Sequence, residues 1–248
     1  MSAFIIKTPK RKVIVGKNRP AFIVAEMSGN HNHDIRRAYK IIDAAAKAGA
    51  DAIKLQTYTP DTITIDCDNE YFQVKVNKAW KGQTLYNLYK RAYMPWEWQP
   101  KLKKYAESKR LICFSTPFDP TAVDFLEKLK MPLYKVASFE IADIPLLEKI
   151  GETKKPVIMS CGMGIATEEE IKFGIQTLKK HGCPSVALLY CVSSYPADYS
   201  EMHLTTIPDM TKKFKTVVGI SDHSPGIVVS VASVALGASI IEKHLTLR

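Results

Sequence analysis

The chain has 248 residues, 46% hydrophobic and 24% charged, which is enough to bury one large core and excludes a disordered or fibrous protein. No apolar run approaches the roughly 20 residues needed to span a bilayer, and the opening MSAFIIKTPKRK lacks the apolar core and cleavage site of a secretory signal, so a cytoplasmic protein without a membrane partner is expected. The formal charge of +10 suits a solvated basic surface or the steering of a small anion better than nucleic acid, because the densest run, KTPKRK, has no interleaved aromatics. Five scattered cysteines without a CxxC pair support neither a disulfide framework nor a cysteine zinc site.

Residues 3–7 and 12–15 flank a TPKR turn and read as a hairpin within a 1–20 unit that plugs one end of the fold. AFIVAEM (21–27) is a near-continuous apolar run, the pattern of a strand buried on both faces, and it ends at Glu26. Asp34 caps the helix IRRAYKIIDAAAKAGA, and AIKLQTY (52–58) follows as the next strand. The segment 59–94 is too long and too aromatic for an ordinary loop; it reads as an insertion, either a functional lid or a packed subdomain.

From residue 95 the alternation resumes: helix, LICFSTP (111–117), helix, LYKVAS (133–138), helix, PVIMSCG (156–162), helix, SVALLYC (185–191), a helix around TTIPDMTKKF, TVVGISDH (216–223), the apolar helix of IVVSVASVALGA, and SIIEKHL (239–245). Eight strands alternating with helices predict a (β/α)₈ barrel over 21–248, the more so because no glycine-rich phosphate fingerprint follows the first strand. The eighth helix of such a barrel is not in the sequence, which reads as a piece of a longer protein.

The strand ends carry the chemistry. Ser221 and His223, and Glu242 and His244, are two i, i+2 pairs on consecutive strands, and two imidazoles with a carboxylate suit a divalent metal; the alternative is that each histidine is a satisfied, partly buried residue. Lys54 and Lys135 lie inside otherwise apolar strands, where an unpaired charge costs several kcal/mol, so each requires an anion. Either Glu26, Glu140 and Glu242 supply it internally, or the lysines and the hydroxyls of Ser138, Ser160 and Ser221 cradle an anionic ligand.

The strings VAEMSGNHN, IKLQTY, YKVASFE, IMSCGM, CVSSYP, GISDHS and IEKHLTL, in this order, resemble the sialic-acid synthase family, whose members condense phosphoenolpyruvate with an N-acetylated amino sugar and release phosphate. WKGQTLYNLYKRAYMPWEW resembles the pseudaminic acid branch, whose acceptor is a 2,4-diacetamido-2,4,6-trideoxy sugar, with N-acetylneuraminate and legionaminic acid synthases as the alternatives. The resemblance implies a metal on His223 and His244 (Mn²⁺, Mg²⁺ or Co²⁺), a catalytic Glu26, and phosphoenolpyruvate contacts from Lys54, Lys135, Ser138, Ser160 and Ser221. It assigns Gln56, Glu140, Tyr195 and Glu242 to the acceptor or the support of the site, and Ser193 replaces an asparagine of the neuraminate branch. It further implies a homodimer of the full-length protein, completed by a C-terminal antifreeze-like domain that is absent from this sequence. A metal-dependent aldolase on the same barrel and a basic binding module are the rival expectations.

Overall fold

The computed structural model describes residues 3–75, 82–162 and 166–247; residues 76–81 of the inserted segment, and 163–165 after the IMSCG strand, lie outside them. A two-stranded antiparallel hairpin, β1 (Phe4–Lys7) and β2 (Lys12–Val15), precedes eight parallel strands: β3 (Phe22–Glu26), β4 (Ala52–Thr57), β5 (Ile112–Pro117), β6 (Tyr134–Val136), β7 (Val157–Gly162), β8 (Val186–Cys191), β9 (Val218–Asp222) and β10 (Ile240–His244). β3 to β10 pair in sequence order, and β10 closes on β3, forming a barrel.

The helices are α1 (Ile35–Lys47), α2 (Pro60–Ile63), α3 (Leu85–Ala92), α4 (Gln99–Ser108), α5 (Pro120–Lys128), α6 (Ile144–Glu152), α7 (Glu168–Lys180), α8 (Thr206–Phe214) and α9 (Val228–Ala235). Their starts follow from local chemistry: the carboxylates of Asp34, Asp119 and Asp143 accept backbone N–H groups of the first turns of α1, α5 and α6, and Thr167 and Glu170 form a capping box on α7. None of the described helices is long and apolar enough to cross a membrane.

Inward side chains of the strands and the apolar face of the hairpin form one cluster, with Phe4, Ile6 and Val15 packed among Phe22, Val24, Ile112, Phe114, Leu133, Ile158, Leu189 and Ile240. The hairpin therefore stoppers the N-terminal end of the barrel and leaves the C-terminal end for polar groups. β6 is shorter than the sequence pattern suggests: it stops at Val136, and a 3₁₀ turn over Phe139–Ala142 carries Glu140, with Ser138 as its cap residue. On the outer side of β3 Ile23 is 38% exposed, and α9 leaves Val228, Val231 and Val234 in solvent.

β9 and β10 approach so closely at Gly219 that a Cβ there would stand 2.2 Å from the Ile240 carbonyl oxygen. A backbone atom cannot swing away as a flexible side chain can, so Gly219→Ala is expected to cost about 1–3 kcal/mol, the range for overpacking a filled interior. Thermal denaturation of the variant against the parent checks this; an unchanged Tm would mean that the strands separate freely.

Candidate active site

Strand register assembles the polar groups. Glu26 at the end of β3 pairs with Lys54 of β4 on one side and with His244 of β10 on the other, and one step lower Glu242 pairs with Ser221 of β9. Because alternate residues of a barrel strand face inward, these groups converge above the apolar interior. They line a cavity of ≈ 1020 Å³ at the C-terminal end of the barrel.

At its floor are two lysines and two glutamates, all at most 5% exposed. Lys54 Nζ lies 2.7 Å from Glu26 Oε2, 3.7 Å from Glu242 Oε1 and 3.2 Å from Thr116 Oγ1. Lys135 Nζ donates to Ser160 Oγ at 2.6 Å and to the Val136 carbonyl at 3.1 Å, with its closest carboxylate oxygen, Glu242 Oε1, at 3.9 Å. The internal ion pairs expected from the sequence thus exist, but unequally: Lys54 is tightly paired, whereas Lys135 is held mainly by neutral oxygens.

The electrostatics follow that inequality. Burial disfavours the charge on Lys54, yet Glu242 and Glu26 outweigh it and hold the ammonium above its ordinary pKa, whereas for Lys135 burial wins and the pKa falls. Burial pushes the Glu26 carboxyl up, to about 7, against the pull of Lys54, while Glu242 stays below its usual value because Lys135 and Lys54 overcome its desolvation. Glu26 Oε1 accepts the Ser28 backbone N–H at 3.1 Å, and Glu242 Oε1 accepts from Ser221 Oγ at 3.2 Å, while Glu242 Oε2 is buried with no hydrogen-bond partner. An orphaned buried carboxylate oxygen calls for a further donor or a cation.

His223 and His244 face each other with ring centroids 5.5 Å apart, and Tyr195 lies against His223 at 4.1 Å. His223 Nδ1 is 2.8 Å from the Val192 carbonyl, an acceptor only, so Nδ1 carries the proton and Nε2 keeps its lone pair, 3.3 Å from Ser221 Oγ. Desolvation depresses the pKa of both rings, favouring the neutral form that ligates metals. Two neutral imidazoles with ring centroids 5.5 Å apart suit a divalent ion; among the described residues there is no cluster of three or more histidine, cysteine or acidic side chains with metal-binding spacing, so water or substrate oxygens would have to complete the shell around His223 and His244. His244 is also well anchored: the Leu245 N–H donates to the Glu26 carbonyl at 2.9 Å, and Asn30 Nδ2 to the Leu245 carbonyl at 3.2 Å.

Of the residues singled out from the sequence, Glu26, Lys54, Gln56, Lys135, Ser138, Ser160, Ser193, Tyr195, Ser221, His223, Glu242 and His244 all line this cavity. Glu140 does not; it sits on the 3₁₀ turn beside exposed Phe139, its Oε2 buried and without a hydrogen-bond partner. The cavity also takes in Thr116 at the end of β5, and residues the sequence did not single out: Cys191, whose Sγ is 3.2 Å from Ser138 Oγ; Phe139; and a wall from α3. Behind the two histidines, buried Asp222 accepts from Ser224 Oγ and Ser230 Oγ, both at 2.6 Å, and pairs with Lys243 Nζ at 2.8 Å. That network ties the ends of β9 and β10 to α9. The apparent break in each strand, a charged residue pointing outward beside the histidine, was its only trace in the sequence.

Proteins of known sequence or structure share this arrangement of strands. The chain is 43% identical over 93% of its length to pseudaminic acid synthase of Campylobacter jejuni, and 35% identical over 94% to N,N'-diacetyllegionaminic acid synthase of Legionella pneumophila. It spans 66% of the first relative's length and 65% of the second's. The crystal structure of N-acetylneuraminic acid synthetase from Leptospira borgpetersenii in complex with citrate superposes with a TM-score of 0.83 at 35% identity, covering 99% of this chain and 79% of that one. The NeuB family model matches residues 41–248, from within α1 through the strand bearing His244; with a closed barrel around a charged floor, the chain belongs to the NeuB family.

Proposed function

We propose that the protein condenses phosphoenolpyruvate with the open-chain aldehyde of a 2,4-diacetamido-2,4,6-trideoxy hexose, adding water and releasing phosphate to give pseudaminic acid. The observation that carries this reading is the unequal pair of lysines: Lys135, buried and hydrogen-bonded to neutral oxygens, is a cation placed to meet a small polyanion, with Ser138, Ser160 and Ser221 as hydroxyl donors on the same cavity floor. The 43% identity to a pseudaminic acid synthase supports the choice of acceptor.

In this reading Lys135, Ser138 and Ser160 hold the phosphoenolpyruvate anion, and Lys54 and Lys135 together balance the charges of Glu26 and Glu242 before the ligand enters. Fixing the methylene carbon against the aldehyde removes the entropy of bringing two solutes together, which can lower a barrier by about 7–11 kcal/mol. His223 and His244 would hold a divalent ion, which would supply Lewis acidity toward the aldehyde oxygen. Glu26, whose pKa burial raises to about 7, takes a proton from the attacking water or from a hydroxyl of the acceptor, and Tyr195 packs against His223. The new C–C bond joins the former methylene carbon to the aldehyde carbon, water supplies the oxygen at the adjacent carbon, and the C–O bond to phosphate breaks.

The test is direct. Protein supplied with Mn²⁺, phosphoenolpyruvate and the diacetamido trideoxy hexose is expected to release phosphate in step with phosphoenolpyruvate loss. Release only with N-acetylmannosamine would move the assignment to the neuraminate branch; pyruvate in place of a condensed acid would favour an aldolase.

A further inference from the structure

The cavity is chemically divided. Its floor consists of charged groups and hydroxyls, but one wall comes from outside the barrel strands and carries an apolar strip, Ile63 at the end of α2, Leu88, Tyr89 and Ala92 of α3, and Phe139, which is 74% exposed although it borders the cavity, flanked by Gln83, Lys90 and Arg91. Phe139 extends this apolar strip to the cavity rim.

This wall is firmly docked. A Cβ at Gly29, in the 3₁₀ turn after the strand bearing Glu26, would stand 3.3 Å from the Ala92 carbonyl oxygen and 3.4 Å from the Ala92 Cβ, so the absence of a side chain there lets α3 approach. Tyr89 packs edge-on against Tyr58 with centroids 5.6 Å apart, and Tyr58 packs the same way against Phe118 at 5.4 Å. Tyr86 Oη donates to Asp61 at 3.0 Å, tying α3 to α2. A ligand that fits both halves has an anionic or polar reacting end and methyl groups at the other.

We propose that Leu88, Tyr89 and Ala92 of α3, with Ile63 and Phe139, form the acceptor-selecting wall, which takes up the methyl groups of the acetamido substituents and of the deoxygenated sugar carbon. This rests on the acetamido-sugar reading above and extends it by locating selectivity in the inserted segment. Leu88→Asn puts a polar amide where a methyl group is to pack, and a misfit of one methyl in such a pocket changes discrimination by about tenfold or more.

The experiment compares kcat/KM for the diacetamido trideoxy hexose and for N-acetylmannosamine, in the parent, Leu88→Asn and Leu88→Met. It adds saturation-transfer NMR on the sugar methyl protons with phosphoenolpyruvate bound. The expected result is a drop of about tenfold for the methyl-rich sugar alone in Leu88→Asn, recovery in Leu88→Met, an unchanged KM for phosphoenolpyruvate, and methyl saturation that weakens in Leu88→Asn. Phe139→Asn, at an exposed position that tolerates polar substitution, carries the same expectation if Leu88→Asn does not fold. Equal losses for both sugars, or none, overturn the wall while leaving the synthase reading intact. No turnover of either sugar overturns the synthase reading; methyl saturation that still depends on Leu88 then upholds the wall, and its absence overturns both. Preference for a 6-phosphorylated amino sugar, drawn by the exposed Lys90 and Arg91 on the same helix, also overturns it.

Discussion

Lys135→Met is expected to lower kcat/KM by about 10²–10³-fold, the loss that follows removal of one preorganised electrostatic group from an active site. Methionine nearly preserves the length and packing of the lysine stem while deleting the charge, and the residue is 2% exposed, so the loss reports on the ammonium rather than on a cavity. Its partners in the protein are the Ser160 hydroxyl and the Val136 carbonyl, with the carboxylate of Glu242 at 3.9 Å, which leaves the charge available to a ligand. Lys54→Met has a different signature. It strips Glu26 of its ion pair at 2.7 Å and leaves a buried carboxylate uncompensated, a disruption that typically costs about 3–5 kcal/mol of stability. Calorimetric titration with phosphoenolpyruvate, paired with thermal denaturation, separates the two: Lys135→Met loses binding with little change in Tm, and Lys54→Met loses Tm. Equal binding by Lys135→Met and the parent would remove Lys135 from the anion site.

Glu26→Gln is expected to lower kcat by about 10²–10⁴-fold with little change in the KM for phosphoenolpyruvate, because a general base contributes to the transition state more than to ground-state binding. The amide keeps the acceptor for the Ser28 N–H and the shape of the side chain, so the strand end stays in place. Burial raises the Glu26 pKa to about 7, and a base must be ionised to act; activity of the parent should therefore rise as pH increases through about 7. That ascending limb should be missing from the residual activity of Glu26→Gln, and a limb that persists would belong to another group.

Much of this was legible in the residues. Strands buried on both faces betray themselves as apolar runs, so the eight barrel strands and the order of their ends could be read without a structure, and Lys54 and Lys135 stood out because an ammonium inside such a run needs a reason. The i, i+2 spacing placed Ser221 with His223, and Glu242 with His244, on one face of their strands, and register then brings Glu242 against Ser221. What could not be read depends on contacts between distant segments. That Lys54 rather than Lys135 takes the close carboxylate is set by the pairing of Glu26 with Lys54 across β3 and β4, which no local pattern encodes. The same holds for α3: its eight residues look like a short amphipathic helix in a long loop, and only the fit of Ala92 on Gly29, more than sixty positions away, makes it a cavity wall. Glu140, two residues past the LYKVAS run, was expected at the same strand end, but β6 stops at Val136 and the 3₁₀ turn over Phe139–Ala142 carries Glu140 off the cavity lining.

A crystal structure of the protein with Mn²⁺ and phosphoenolpyruvate tests most directly whether Lys135 and the two histidines form the anion and metal sites. The phosphoenolpyruvate anion is expected within hydrogen-bond distance of Lys135 Nζ and Ser160 Oγ, with the ion on His223 Nε2 and His244. Phosphoenolpyruvate bound outside the barrel mouth, or an ion held by other residues, would contradict it.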